Sequence, residues 1–166
     1  MISGKVYRTV ADGSWSVPRR IEAMGAMRVA RQALSPMPEL LSYWLPPQDA
    51  KALIRYLNEQ IAEMVVLAPD RFIGLGAVPL QDVDSAIVEL NFITDELSFP
   101  GVEIASHVNG VSIGDARFEP FFAAAERIGA LGVLLPRLVH AWNAIPKAKE
   151  SLTESPAVTA RRFLGL

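Results

Sequence analysis

The 166 residues contain no cysteine, which removes disulfide scaffolds, thiolate nucleophiles and cysteine-ligated zinc or iron–sulfur sites together. Histidine is almost as scarce. His107 and His140 are the only two, and they form neither an HxH nor an HExxH pair, so the three or more converging ligands of a catalytic metal are not provided by histidine. No basic block occurs either. The 16 Lys and Arg are scattered and face 18 Asp and Glu, whereas binding to nucleic acid depends on clustered cations that displace counterions. Nucleic acid is therefore not an expected partner. No uninterrupted apolar run approaches the ~20 residues of a membrane span, and residues 1–15 lack the apolar centre of a signal peptide. The expectation is a cytoplasmic protein with no membrane partner. Nucleotide and hydrolase signatures are missing as well: there is no Walker A loop and no GxSxG elbow. Gly74-Leu75-Gly76 falls inside a strand-like run, where glycine permits close backbone packing.

What is present is an apolar, evenly mixed chain. Hydrophobic residues make up 51% and charged residues 20%, a globular composition of one-domain length. Ser16 and Pro18 predict the start of a helix over 16–24. A short strand follows over 29–34, stopped by Ser35-Pro36-Met37-Pro38. Ala50, Leu53, Ile54, Leu57, Ile61, Met64, Val65 and Ala68 keep helical spacing and predict a long helix over 47–68. Residues 72–78 read as a buried strand, after which Asp82 or Asp84 caps a helix striped by Ala86, Ile87, Leu90, Ile93 and Leu97. A third strand is expected over 101–107. Asp115 then opens a helix through Phe118, Phe121, Phe122, Ala125 and Ile128, aromatics whose spacing indicates core packing. Strand and helix alternate three times, the pattern of βαβ units on a parallel sheet, so the fold class is α/β. After Gly129 the rhythm changes: Leu135, Leu138, Val139 and Trp142 give 132–142 a helical spacing, and Ser155-Pro156 suits a last short helix.

Several segments together resemble the amidohydrolase-related metal-dependent decarboxylases of the aminocarboxymuconate-semialdehyde decarboxylase type. They are GKVYRTV (4–10), SWSVPRRIEAM (14–24), QALSPMPELLSYW (32–44) and APDRFIGLGAVPLQD (68–82). FPGVEIASHVNG (99–110), RFEPFFAAAERIGA (117–130) and LLPRLVHAWNAIP (134–146) continue them in the family's order. The resemblance implies a partial (β/α) barrel of the metal-dependent hydrolase type, with three to four βα units plus C-terminal helices. It also implies a single shortened domain over 1–166, in which contiguous βα units over 1–130 are joined across a deletion to a helical segment over 131–166. The family's HxH pair, its V-H-P-like strand, its HGGG-like turn and its final metal aspartate have no counterpart here. The intact family uses a divalent metal such as zinc, whereas this chain is expected to hold none and to be inactive alone.

Three residues carry what remains of a site. Arg8 and Arg137 match positions at which the family binds its substrate's carboxylates, a task suited to the guanidinium fork. The alternative is that both are ordinary surface arginines. His107 falls at the C-terminal end of a strand, the face on which barrel enzymes keep their chemistry, or it simply bonds a neighbouring loop. His140, beside Trp142, suits a structural or surface role. The expected ligand is a small unsaturated or aromatic carboxylate. In the family the second arginine comes from a neighbouring subunit, which implies a homo-oligomer. An unclosed barrel also predicts that the inward-facing members of a set of strand residues including Leu75, Ala77, Val102 and Ile104 are left without partners, and that Trp15, Tyr43 and Trp44 offer apolar surface for association. A non-catalytic self-association module is the competing function.

Overall fold

The computed structural model describes residues 9–134. The expectations placed on Arg8, Arg137, His140 and the C-terminal helices lie outside the described residues.

Helix α1 (Val17–Ala26) follows Ser16 at its N-cap and carries proline in its first turn; the Ser16 side chain makes no capping bond. Strand β1 (Gln32–Leu34) is shorter than the apolar run suggested and pairs in parallel with β2 (Phe72–Gly74), Leu34 opposite Gly74. Between them runs α2 (Pro47–Leu67), which starts on proline with Asp49 in its first turn and buries Ala50, Ile54, Asn58 and Ile61 on one face. Proline needs no N–H partner there, and the acid suits the positive end of the helix.

Beyond Gly74 the backbone stays extended and reaches the next strand. The Gly76 N–H donates to the Gly101 carbonyl at 3.0 Å, and Gly76 in turn accepts from the Glu103 N–H at 2.7 Å. This single bridge, Gly76 to Val102 in parallel, joins the first pair to β3 (Gly101–Ile104). Helix α3 (Val83–Asp95) makes the crossover. Asp82 caps it by accepting from the Ser85 N–H at 2.9 Å, which decides between the two candidate caps. The glycines are the condition for this packing: a Cβ on Gly74 would meet the Phe99 ring, and one on Gly76 would lie 2.6 Å from Ile93 Cδ1.

After β3 the chain forms a small hairpin, β4 (His107–Val108) with β5 (Val111–Ser112). It turns on Asn109 and Gly110, whose φ values are +50° and +83°. Asn-Gly with two positive φ values is the turn whose twist matches a tight hairpin. Asp115 caps a 3-10 turn that leads into α4 (Glu119–Ile128), and Gly129 closes that helix in the left-handed conformation at φ +68°.

The next element departs from the expectation. Residues Leu131–Leu134 are strand β6, paired in parallel with β3 from Gly101↔Leu131 to Ile104↔Leu134; they do not open a helix. A short apolar run has no periodicity that separates strand from helix, so the available edge of β3 decides. Gly101 has no Cβ to strike the Leu131 backbone, and the Leu131 N–H donates to the Pro100 carbonyl at 2.8 Å. Four parallel strands thus lie in chain order β1-β2-β3-β6, with α2, α3 and α4 as the crossovers.

A second expectation also fails. Leu75, Ala77, Val102 and Ile104 are 6%, 0%, 2% and 1% exposed, and the last three belong to one continuous hydrophobic cluster. The described part of the chain covers these strand residues, so they offer no apolar face to a partner.

One polar network crosses the helical layer. Asn58 on α2 mimics a strand neighbour, donating to the Ala77 carbonyl at 3.0 Å and accepting the Ala77 N–H at 2.8 Å. Its amide also donates to Glu89 of α3 at 2.9 Å. Glu89 is fully buried and receives Arg55 Nη2 at 2.8 Å and Nε at 3.0 Å. The Arg55 guanidinium lies 3.4 Å over the Phe92 ring. Every polar end meets a partner, which is the condition for tolerating a buried charge.

Candidate functional site

The loops that follow β1, β2 and β3 meet at the C-terminal ends of the strands, and side chains tie them together. Gln81, after β2, donates to the carbonyls of Ser42 and Leu45 at 3.4 and 3.2 Å. Asn109, in the hairpin after β3, donates to the Tyr43 carbonyl at 2.7 Å. The segment they hold includes Ser42 at φ +56°, a left-handed conformation that a serine keeps only where its surroundings fix it.

Tyr43 is the residue this clamp positions. It was expected to offer surface for association, yet it is only 6% exposed, whereas Trp44 and Trp15 are 67% and 60% exposed. The Tyr43 hydroxyl is sealed from solvent, with the backbone of Ala105 beside it. Burial pushes the phenol well above its usual range, and the Glu103 carboxylate adds to the shift.

Glu103 stands on β3 and is 5% exposed. Its neighbours Val102 and Ile104 belong to the hydrophobic cluster, so strand alternation places Glu103 on the opposite face. Burial raises its carboxyl above the usual carboxylate range, against a hydrogen bond from Ser35 at the end of β1. Among the described residues no Lys, Arg or His pairs with it. Ser35 also lines a cavity of about 150 Å³ together with Ser14, Arg20 and Ile61. Arg20 donates there to Gln32 at 3.1 Å and to the Ser14 carbonyl at 3.2 Å, and burial lowers its pKa.

His107 begins the hairpin at the same end of the sheet. It is exposed, with Nδ1 3.0 Å from the Ser106 hydroxyl. Its four-residue separation from Glu103 leaves both near the strand terminus, His107 outside and Glu103 inside. Sequence reasoning missed Glu103 and the hairpin. The signals were present: a lone acid inside the apolar run Gly-Val-Glu-Ile, and the dipeptide Asn-Gly.

A metal fares differently. Among the described residues, no three His, Asp or Glu side chains come together to hold one. Glu103 faces Ser35 and Tyr43, and His107 faces Ser106, so the described residues do not fit a metal centre.

The comparisons with known proteins agree with the α/β barrel-type fold class. The family model described as amidohydrolase matches residues 12–144. The 2-amino-3-carboxymuconate-6-semialdehyde decarboxylase of Dictyostelium discoideum is 39% identical over 147 residues, covering 89% of this chain and 40% of that protein. The 5-carboxyvanillate decarboxylase of Novosphingobium aromaticivorans, solved with manganese and 4-hydroxy-3-methoxy-5-nitrobenzoic acid, is 29% identical. It superposes at a TM-score of 0.66, covering 69% of this chain and 32% of that chain. A 2,6-dihydroxybenzoate decarboxylase complexed with 2,6-dihydroxybenzoate superposes at 0.65 over 84% of this chain and 44% of that one; at 24% identity it supports the fold alone. The chain therefore spans about 40% of the length of that curated relative, and its described part is a partial fold of this barrel type.

Proposed function

The chain belongs to the amidohydrolase family, and from that premise we propose that it binds a small aromatic or unsaturated carboxylate without turning it over by itself. The observation that supports this most is the 39% identity over 147 residues to a decarboxylase of an unsaturated carboxylate. Arg8 and Arg137 are the proposed carboxylate holders, because a guanidinium stays charged at any working pH and offers a fork to both oxygens. His107 is the proposed third contact, at the strand end where barrel chemistry is built. Absence of turnover is proposed from the sequence, which has two histidines and no HxH pair.

Titration of the purified chain with 2,6-dihydroxybenzoate, alongside a carbon dioxide assay with zinc or manganese supplied, tests both halves. Saturable binding that weakens at least about tenfold in Arg8→Ala or Arg137→Ala is expected, since a charged hydrogen bond contributes roughly that much. Carbon dioxide release that a chelator abolishes would contradict the second half.

A homo-oligomer is the second reading, favoured by Trp15 and Trp44, both more than half exposed. Large exposed aromatics of this kind mark association surfaces. Light scattering at micromolar concentration is expected to return a dimer or larger, and a monodisperse monomer would remove it.

A further inference from the structure

A guanidinium stays ionised at any working pH and carries five N–H donors, so withdrawing one from water calls for an opposite charge. Arg19, Arg55 and Arg117 each have a carboxylate, from Glu22, Glu89 and Asp115. Arg20, on α1, has none among the described residues. Its Nη1 donates to the Gln32 side-chain oxygen at 3.1 Å and its Nη2 to the Ser14 carbonyl at 3.2 Å, and both acceptors are neutral. Its Nε is buried and meets no acceptor. Burial lowers the pKa of the group, and no neighbouring charge contributes to the shift. The charge is thus partly desolvated with nothing opposite to offset it.

The same side chain borders a cavity of about 150 Å³, whose other walls are Ser14, Ala33, Leu34, Ser35 and, from α2, Ile61 and Met64. Arg20 is the one ionised residue of this lining. Neutral donors stand beside it. The Ser14 hydroxyl makes no hydrogen bond among the described residues. Strand β1 lies at the end of the strand order. It spends the Gln32 N–H on the Arg71 carbonyl and the Leu34 carbonyl on the Leu75 N–H, so the alternate residue, Ala33, turns its N–H to the free edge. The Ser35 hydroxyl is already engaged by Glu103. The size of the cavity limits what can enter. It has room for a few waters, at about 30 Å³ each in the liquid, and falls short of the ~300 Å³ at which pockets for larger organic ligands begin.

We propose that this cavity binds a small monovalent carboxylate, of the size of acetate, held by the Arg20 guanidinium with the Ser14 hydroxyl and the Ala33 N–H as neutral donors. One cation in the lining matches one negative charge, and the volume excludes an aromatic acid. The site shares no residue with the one proposed above for the aromatic carboxylate and does not rest on it.

The test uses the intact chain with arginine labelled with ¹⁵N, titrated at neutral pH with acetate replacing chloride at constant ionic strength. The expected result is a saturable shift of the Arg20 Nε–H resonance, with the Arg55 resonance unmoved. Arg20→Gln is expected to weaken acetate binding at least about tenfold, and Ser14→Ala about threefold, as the loss of a charged and of a neutral hydrogen bond would. Benzoate should leave the Arg20 resonance in place. A shift that grows linearly with acetate, or none at all, would show a cavity that holds only water and overturns the proposal. So would an equal response to benzoate, which would make Arg20 part of an open cationic surface. The titrations of the wild-type chain decide the matter even if Arg20→Gln does not fold.

Discussion

The helical layer and the inner face of the sheet treat a buried carboxylate in opposite ways. In the helical layer Glu89 is held by a guanidinium on one side and an amide on the other, and that amide also completes the backbone of Ala77. On the inner face Glu103 stands beside two hydroxyls, those of Ser35 and Tyr43, with no cation among the described residues to answer its charge. The first arrangement fastens α2 and α3 to the sheet. Burial alone therefore does not say whether an ionisable group serves the fold; the count of its partners does.

The largest expected effect comes from breaking the satisfied network. Arg55→Met leaves Glu89 buried with only Asn58 beside it, and removal of one member of a buried pair typically costs about 3–5 kcal/mol. Urea unfolding would measure it, and a loss below about 1 kcal/mol would show that Glu89 is rehydrated and not truly enclosed. Next in size is Gly76→Ala. Its Cβ would fall 2.6 Å from Ile93 Cδ1, at the one bridge joining the two strand pairs, and overpacking of that kind costs about 1–3 kcal/mol. An unchanged melting temperature would mean that Ile93 yields without strain.

The pH dependence sharpens the contrast further. The folded chain holds the Glu103 proton more tightly than the unfolded chain does. Across the window that opens near the ordinary glutamate value, about pH 4.3, and closes at the raised one, the native state binds more protons. Stability from this group is thus complete below the window and declines as pH rises through it. Melting temperatures measured across this range should lose that decline in Glu103→Gln; a variant whose profile overlays the wild type would contradict the assignment. Asp115 acts in the opposite sense at lower pH, because the Arg117 backbone and side chain hold its carboxyl below the usual range.

Much of the framework was legible in the sequence because local chemistry decides it. The apolar stripe of 47–68 became Pro47–Leu67 with one residue of difference, and Asp82 caps α3 through its own side chain. What was not legible depends on partners distant in sequence. Gly132 to Leu134 follow β3 because Gly101 lets Leu131 approach, and no periodicity within four residues can announce that. Asn58 sits in an otherwise apolar stripe, and its purpose emerges only when Ala77 and Glu89 arrive beside it. Glu103 lies inside a run whose apolar neighbours mark a buried strand, and an acid within such a run demands a reason that only Ser35 and Tyr43, distant in sequence, reveal. The resemblance identified the barrel type, while Arg8 and Arg137 lie outside the described residues and their roles stay with the binding experiment.

The most direct measurement is the equilibrium unfolding free energy of Glu89→Gln and Glu103→Gln, taken side by side at neutral pH. Both substitutions remove one negative charge and almost no volume. The expected result is a loss of about 2–4 kcal/mol at position 89, where a charge-assisted fork is broken. At position 103 the expected change is zero or a gain of under about 1 kcal/mol, since a neutral amide is cheaper to bury than an uncompensated acid. Equal losses at both positions, or a larger loss at 103, would contradict the division between a compensated and an uncompensated glutamate.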